Sequence, residues 1–139
     1  MAANSRFAVA THIMTLVAHD APKGELLKSD IVAGSVNTNP VVVRRLMAEL
    51  SKAGLLTCHQ GKGGGVELAR PAEKITLRDI YQAVGESDVF AFNPNRPNTR
   101  CPVSTSMAKL LTPVFSEVND CVADQLKQTK LSDLVHKVD

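Results

Sequence analysis

The residues best suited to bind an anion form a cluster of cations in the middle of the sequence. Glu49 is the only acidic residue of the stretch from residue 37 to residue 62. The cations of this stretch are Arg44, Arg45, Lys52 and Lys62. Such a cluster suits the phosphate backbone of a nucleic acid, which proteins contact largely through Arg and Lys. The alternative is a solvated helix face, and the net charge of only +2 does not decide between the two.

The thiols and imidazoles are the other side chains that could do chemistry. Cys101 precedes Pro102, which suits the first position of a helix, and Arg100 lies beside it. A helix N-terminus and a nearby cation both favour the reactive thiolate form. We therefore hypothesise that Cys101 is a redox sensor, and the alternative is an inert thiol that caps a helix. His12 and His19 lie seven residues apart, too far for a metal-binding pair at positions i and i+4, so no metal site is predicted.

Two helices are predicted upstream of the cationic cluster. The first runs from Ser5 to about His19, because its apolar residues recur at helical spacing. The second is a short helix over residues 30–35, with Ser29 as its N-cap. Asn37-Thr38-Asn39-Pro40 follows as a turn, whose proline takes the first position of the next helix at no cost in hydrogen bonds.

A third helix is predicted from Pro40 to a stop at Gly54, and it carries most of the cations. One of its faces is apolar and points to the core: Val43, Leu46, Met47 and Leu50. The predicted DNA-contacting residues lie on the opposite side and are polar or cationic except for Pro40 and Val41: Thr38, Asn39, Pro40, Val41, Arg44 and Arg45. Short polar side chains, arginines and helix-start N–H groups suit phosphates and base edges.

A β-hairpin is predicted after this helix, with strands over residues 55–59 and 66–69. Lys62 lies in the connecting turn among glycines that would let the backbone approach a duplex closely. These glycines include Gly61, Gly63 and Gly64. A nucleotide-binding loop would join a strand to a helix, whereas this turn joins two strands.

The predicted order of elements is that of a winged helix-turn-helix: helix, short helix, turn, helix and hairpin. This motif is built here from residues 29–71. The helix after the turn fits the major groove of DNA. We therefore predict a mainly α fold with a small β-hairpin that binds double-stranded DNA. An enzyme is not predicted, because we find no nucleophile with a base, paired carboxylates or metal set. A winged-helix module that binds a partner protein is the alternative.

The C-terminal part is predicted to consist of a loop and helices. A capping box over residues 76–79 opens a helix that ends at Gly85, and residues 86–100 form a loop. Phe90 and Phe92 in this loop could shape a ligand pocket or simply pack. We accordingly divide the chain into a DNA-binding domain, residues 1–85, and a dimerisation unit, residues 86–139.

A long helix over about residues 103–127 and a short last helix over 132–138 complete the prediction. Pro113 either kinks the long helix or starts a new one. Apolar residues four and three apart form a seam with coiled-coil spacing: Met107, Leu111, Val114, Val118 and Cys121. Such a seam favours pairing with a second copy, and the alternative is packing within one chain.

The sequence resembles the Rrf-type winged-helix repressors of bacteria, which include iron–sulphur-cluster, nitric-oxide-sensing and cysteine-metabolism regulators. The resemblance covers nearly the whole chain and is most specific at Gly63-Gly64-Gly65-Val66-Glu67-Leu68-Ala69-Arg70-Pro71 followed by Ile75-Thr76-Leu77-Arg78-Asp79-Ile80. It implies a homodimer whose long helices cross and pair, and a palindromic operator. It also implies that Ser5 and Arg6 contact phosphates.

The chain departs from cluster-binding relatives, which place three cysteines just before the long helix. Only Cys101 lies there, and Cys121 follows 20 residues later, which is ~30 Å along a continuous helix. We expect no iron–sulphur cluster. The segment Cys101-Pro102-Val103-Ser104 resembles an uncharacterised branch without the cluster, so the effector, a small molecule or a redox signal, is left open. A thiol-based redox sensor that does not itself read an operator is a further alternative.

A cytoplasmic location is expected. The sequence has no apolar run near the roughly 20 residues that cross a bilayer. Its first five residues lack the charged start and apolar stretch of a signal peptide. No membrane partner is therefore predicted.

Overall fold

The computed structural model describes residues 5–21, 25–85 and 88–138. The helices within these ranges are α1 (Ser5–Asp20), α2 (Ser29–Val36), α3 (Pro40–Lys52), α4 (Leu77–Ala83), α5 (Pro102–Lys127) and α6 (Leu131–Val135). The strands are β1 (Leu56–His59) and β2 (Gly65–Leu68), and a 3-10 helix (Ala72–Lys74) precedes α4. The mainly helical fold with one small hairpin is confirmed.

An aliphatic core joins α1, α3, α4 and α6. Ile13, Leu46, Leu50, Ile80 and Leu131 are all fully buried within it. The predicted inward face of α3 is buried as a whole. Burial of such side chains stabilises the fold by about 1.5–3 kcal/mol each and fixes the rotation of α3 about its axis. The opposite face of α3 is therefore turned to solvent.

The turn between α2 and α3 rests on two asparagines. Asn37 has a φ of 54°, in the left-handed region, and donates its N–H to the carbonyl of Ala33 at the end of α2. Asn39 caps α3, because its side-chain oxygen accepts a hydrogen bond from the N–H of Val41 at 2.9 Å. Pro40 occupies the first helical position, as predicted.

The predicted start of α2 was wrong by one residue, because Lys28 and not Ser29 is the N-cap. The physical reason is tertiary. Leu27 pairs with Val66 of the hairpin through two backbone hydrogen bonds of 2.9 and 2.8 Å, which holds the chain extended up to Lys28. The helix consequently begins at Ser29.

The hairpin pairs β1 and β2 antiparallel, from Leu56 opposite Leu68 to His59 opposite Gly65. Its turn needs glycine for local reasons. Gly61 and Gly63 have φ values of 87° and 79°. A Cβ on Gly64 would lie 2.2 Å from the carbonyl oxygen of His59.

The C-terminal region confirms the capping box, in which Thr76 and Asp79 exchange two hydrogen bonds. Of the two alternatives at Pro113, α5 is one helix that continues through it. Residues 88–101 form neither helix nor strand. The rings of Phe90 and Phe92 pack against Phe115 with centroids 5.6 and 5.0 Å away. The contacts thus support the packing role of these two rings.

The last helix returns to the N-terminal part of the molecule. Leu131 donates its N–H to the carbonyl of Ile75 at 2.8 Å, and its buried side chain joins the core. The helix ends at Val135, three residues before the predicted end. Within the described ranges, no helix combines the length and apolar character needed to cross a membrane.

Candidate DNA interface

The outward face of α3 begins with side chains that suit DNA. Asn39 and Pro40 are exposed at the first turn, and Val41, Arg44 and Arg45 follow on the solvent side. Thr38 is half-buried. The predicted outer face of the helix is therefore accessible from Asn39 onward, and its contacts with bases and phosphates stay a prediction.

The hairpin turn places Lys62 at an exposed tip between Gly61 and Gly63. Gly64 is half-buried under the turn, where it donates its N–H to the carbonyl of Gly61 at 3.0 Å. The glycines are thus already required by the geometry of the turn. Their predicted close approach to a duplex remains a separate expectation.

An open groove of about 820 Å³ lies between α3 and the hairpin. Arg44 and Lys52 of α3 line it, together with Lys28 from the start of α2. Asp30 is the acidic residue of the groove wall. The cationic character suits a phosphate backbone. Lys28 was missed by the sequence analysis, because it reaches the groove through the pairing of Leu27 with the hairpin and lies outside the cluster of residues 37–62.

Arg6 and Ser5 lie at the start of α1. Arg6 donates from Nη2 to Glu49 Oε2 at 2.5 Å and to the carbonyl oxygen of Val84 at 3.4 Å. These bonds join three helices, since Glu49 belongs to α3 and Val84 follows α4. The predicted phosphate contacts of Ser5 and Arg6 stay a prediction.

Cys101 caps α5, because its Sγ accepts a hydrogen bond from the N–H of Ser104 at 3.5 Å. It is half-buried, whereas Cys58 and Cys121 are exposed. The Ser104 hydroxyl accepts in turn from the N–H of Asn98 at 2.8 Å. The capping geometry predicted from the sequence is confirmed, and redox sensing by Cys101 stays a hypothesis.

The long helix α5 has no buried residue along its 26 residues, all of which the structure describes. Val103, Leu110 and Val114 are 65%, 58% and 50% exposed, and Met107 is also exposed. In the predicted seam Met107, Val114 and Cys121 are exposed, and the other two members, Leu111 and Val118, are half-buried. The exposed apolar stripe of the first half of the helix is Val103, Met107, Leu110 and Val114.

Replacing Asn39 by alanine should lower the free energy of unfolding by about 1 kcal/mol, because α3 loses its side-chain cap. Urea unfolding at fixed protein concentration measures this. Asn39→Asp is the matched control, since aspartate caps equally well and should keep wild-type stability. Its carboxylate should nevertheless weaken binding to DNA phosphates. Wild-type stability for Asn39→Ala would show that the cap contributes nothing.

A helix with an exposed cationic face beside a glycine-tipped hairpin defines a winged helix-turn-helix, the fold of a DNA-binding transcription regulator. The chain matches the family described as "Rrf2: Iron-dependent Transcriptional regulator" over residues 3–137. The protein belongs to the Rrf2 family. This family consists of transcription regulators, and the absence of enzymatic activity stays a prediction.

Known proteins share both sequence and fold with the chain. It is 40% identical over 134 residues to YwnA of Bacillus subtilis strain 168, named as an HTH-type transcriptional regulator, covering 96% of each protein. A solved structure of a protein described as DNA-binding is 37% identical, with a TM-score of 0.71 over 94% of this chain and 98% of that one. The global cysteine regulator CymR of B. subtilis has the same fold at 20% identity, with a TM-score of 0.69 over 100% of this chain and 99% of that one.

The family description mentions iron, which a protein binds through several converging His, Cys, Asp or Glu side chains. Across residues 5–21, 25–85 and 88–138, no three His, Cys, Asp or Glu side chains converge where they could hold a metal ion. Near Cys101 the polar partners are Ser104 and Asn98. These residues do not fit an iron site within one chain. The expected lack of an iron–sulphur cluster stays a prediction.

Proposed function

We propose that the protein is a homodimeric repressor that binds a palindromic operator through two copies of α3 and its hairpin. The observation that carries this proposal is the groove beside α3. Arg44, Lys52 and Lys28 line it, and Lys62 is exposed at the hairpin tip. Several cations around one groove suit a phosphate backbone, and the exposed start of α3 suits the major groove.

Pairing through α5 is the second part of the proposal. The exposed stripe of Val103, Met107, Leu110 and Val114 repeats at intervals of four, three and four residues, the spacing of two packed helices. Contiguous exposed apolar surface of this kind commonly marks an interface. A second copy crossing α5 would cover the stripe and place two copies of α3 on one duplex.

Selection of bound sites from random duplex DNA by the purified full-length protein tests the proposal. We expect an inverted repeat whose half-sites lie about 10 base pairs apart, or a multiple of this, because each half-site meets one copy of α3 in the major groove. A sample without protein is the control. No enrichment would contradict operator binding, and one asymmetric half-site bound by a single protomer would contradict the dimer.

Repression is tested by placing the selected site within a promoter and measuring transcription with purified RNA polymerase. We expect bound protein to lower the transcript yield, because it occupies the duplex that the polymerase needs. A promoter with a scrambled site is the control. A higher yield with the intact site would identify the protein as an activator.

A further inference from the structure

Arg6, in the first turn of α1, connects this helix to α3 and to the residue that follows α4. Its guanidinium contacts the carboxylate of Glu49 in the last turn of α3 and the carbonyl of Val84 at the end of α4. The Arg6 and Glu49 side chains are 31% and 34% exposed. A planar guanidinium with several donors can hold both acceptors at once.

In the contact with Val84, Arg6 donates a hydrogen bond to a carbonyl at the C-terminal end of α4. The last carbonyls of a helix have no partners within the helix, and a cation near that end is favoured by the helix dipole. Gly85 follows with a φ of 76° and turns the chain away. At its other end α4 is fixed to the C-terminal helices, because Leu77 donates its N–H to the carbonyl of Thr129 at 3.0 Å. Arg6 therefore links α3 to the helix that carries the C-terminal region.

The contact with Glu49 also concerns the charge of α3. Glu49 is the only acidic residue of this helix. It follows Arg45 by four residues, the spacing at which opposite charges pair on a helix. Arg6 thus gives the carboxylate of Glu49 a partner other than Arg45, and Arg45 is exposed on the outward face.

We propose that Arg6 is a positioning residue for DNA binding: it holds Glu49 and the end of α4 together, and so fixes the orientation in which α3 presents Arg44 and Arg45. This inference rests on the proposed binding of an operator through α3. It assigns Arg6 an action through α3, in place of the phosphate contact that the family resemblance implies.

The charge of Glu49 gives a test in which two explanations predict opposite changes in DNA affinity. On charge alone, Glu49→Gln should strengthen binding, because it removes a negative charge from the helix that faces the phosphates. Under our proposal Glu49→Gln and Arg6→Gln each weaken binding to the selected operator by about fivefold. The double variant should bind no more weakly than the weaker single variant, because both changes remove one interaction.

Salt dependence separates positioning from phosphate contact. The logarithm of the affinity of Arg6→Gln should fall with the logarithm of salt concentration at the wild-type slope, since no phosphate contact is lost. All affinities are measured where circular dichroism shows every variant folded. Arg96→Gln is the matched control, because it removes one exposed positive charge from the loop before α5 and should keep wild-type affinity.

Two results would overturn the proposal. One is unchanged or tighter binding by Glu49→Gln. The other is a salt slope reduced by about one unit in Arg6→Gln, with effects that add in the double variant, which would establish a phosphate contact. If the wild-type protein binds no duplex, the proposed function itself fails. Amide hydrogen exchange of the DNA-free protein then decides: Arg6→Gln should speed exchange in α3 and α4, and wild-type protection would refute the link.

Discussion

Replacing Val114 by aspartate should convert the proposed dimer to a monomer and lower operator affinity at least about 100-fold. Val114 is half exposed on the apolar stripe of α5, so the aspartate would place a charge in the proposed interface, at a cost of several kcal/mol. A monomer binds one half-site and loses the advantage of linked binding, which is about 10²- to 10⁴-fold. Light scattering after size-exclusion chromatography measures the mass, and titration of labelled operator measures the affinity.

Ser116→Asp is the matched control for this change. Ser116 is exposed and lies two residues after Val114, about 200° around the helix, so the same charge should stay in solvent. We expect this variant to remain dimeric with wild-type affinity. A Val114→Asp protein that stays dimeric would show that the stripe is not the interface. A monomeric variant with undiminished affinity would show that dimerisation is not needed for binding.

Replacing Arg44 by alanine should weaken binding to the selected operator by about 1–3 kcal/mol, which is about 5- to 150-fold. Arg44 is exposed on α3, one turn after Pro40, and lines the groove toward the hairpin. An arginine in this place can bind a guanine edge with two hydrogen bonds, so its loss should also relax the preference at one position of each half-site. Competition with single-base variants of the operator measures both effects.

Replacing Lys62 by alanine tests the hairpin separately from α3. Lys62 at the hairpin tip suits a phosphate, so the affinity for DNA should fall similarly for all sequences. The salt slope of the affinity should drop by about one unit. Arg96→Ala removes an exposed arginine of the loop before α5 and should change neither quantity. Wild-type affinity in both Arg44→Ala and Lys62→Ala would contradict the assignment of this surface to DNA.

The local sequence predicted the elements that depend on short-range physics. The periodicity of Val43, Leu46 and Leu50 predicted which face of α3 is buried, because helical geometry alone brings these residues to one side. Asn39 and the capping box at Thr76 were also recognisable, since a cap bonds to N–H groups two or three residues away. The glycines of the hairpin turn were recognisable too, because the local geometry of the turn requires them.

The errors and omissions involve residues that are distant in sequence. The helix α2 starts at Ser29, one residue earlier than predicted, because Leu27 pairs with Val66. No local sequence pattern indicates this partner. The seam predicted on α5 stays a prediction, because its cover would be a second copy of the chain, and one chain shows only which side chains of the helix are exposed. The exposed Leu110 and the half-buried Leu111 differ by one residue and 100°.

The sequence by itself determined the helices, the hairpin and the outward face of α3, because each depends on contacts within a few residues. Only the tertiary structure decided which cations share one groove, as Lys28 does with Arg44. It also decided that Arg6 meets Glu49, 43 residues away, and Val84, 78 residues away. Such contacts depend on how helices pack against one another, and the packing is set by the whole core.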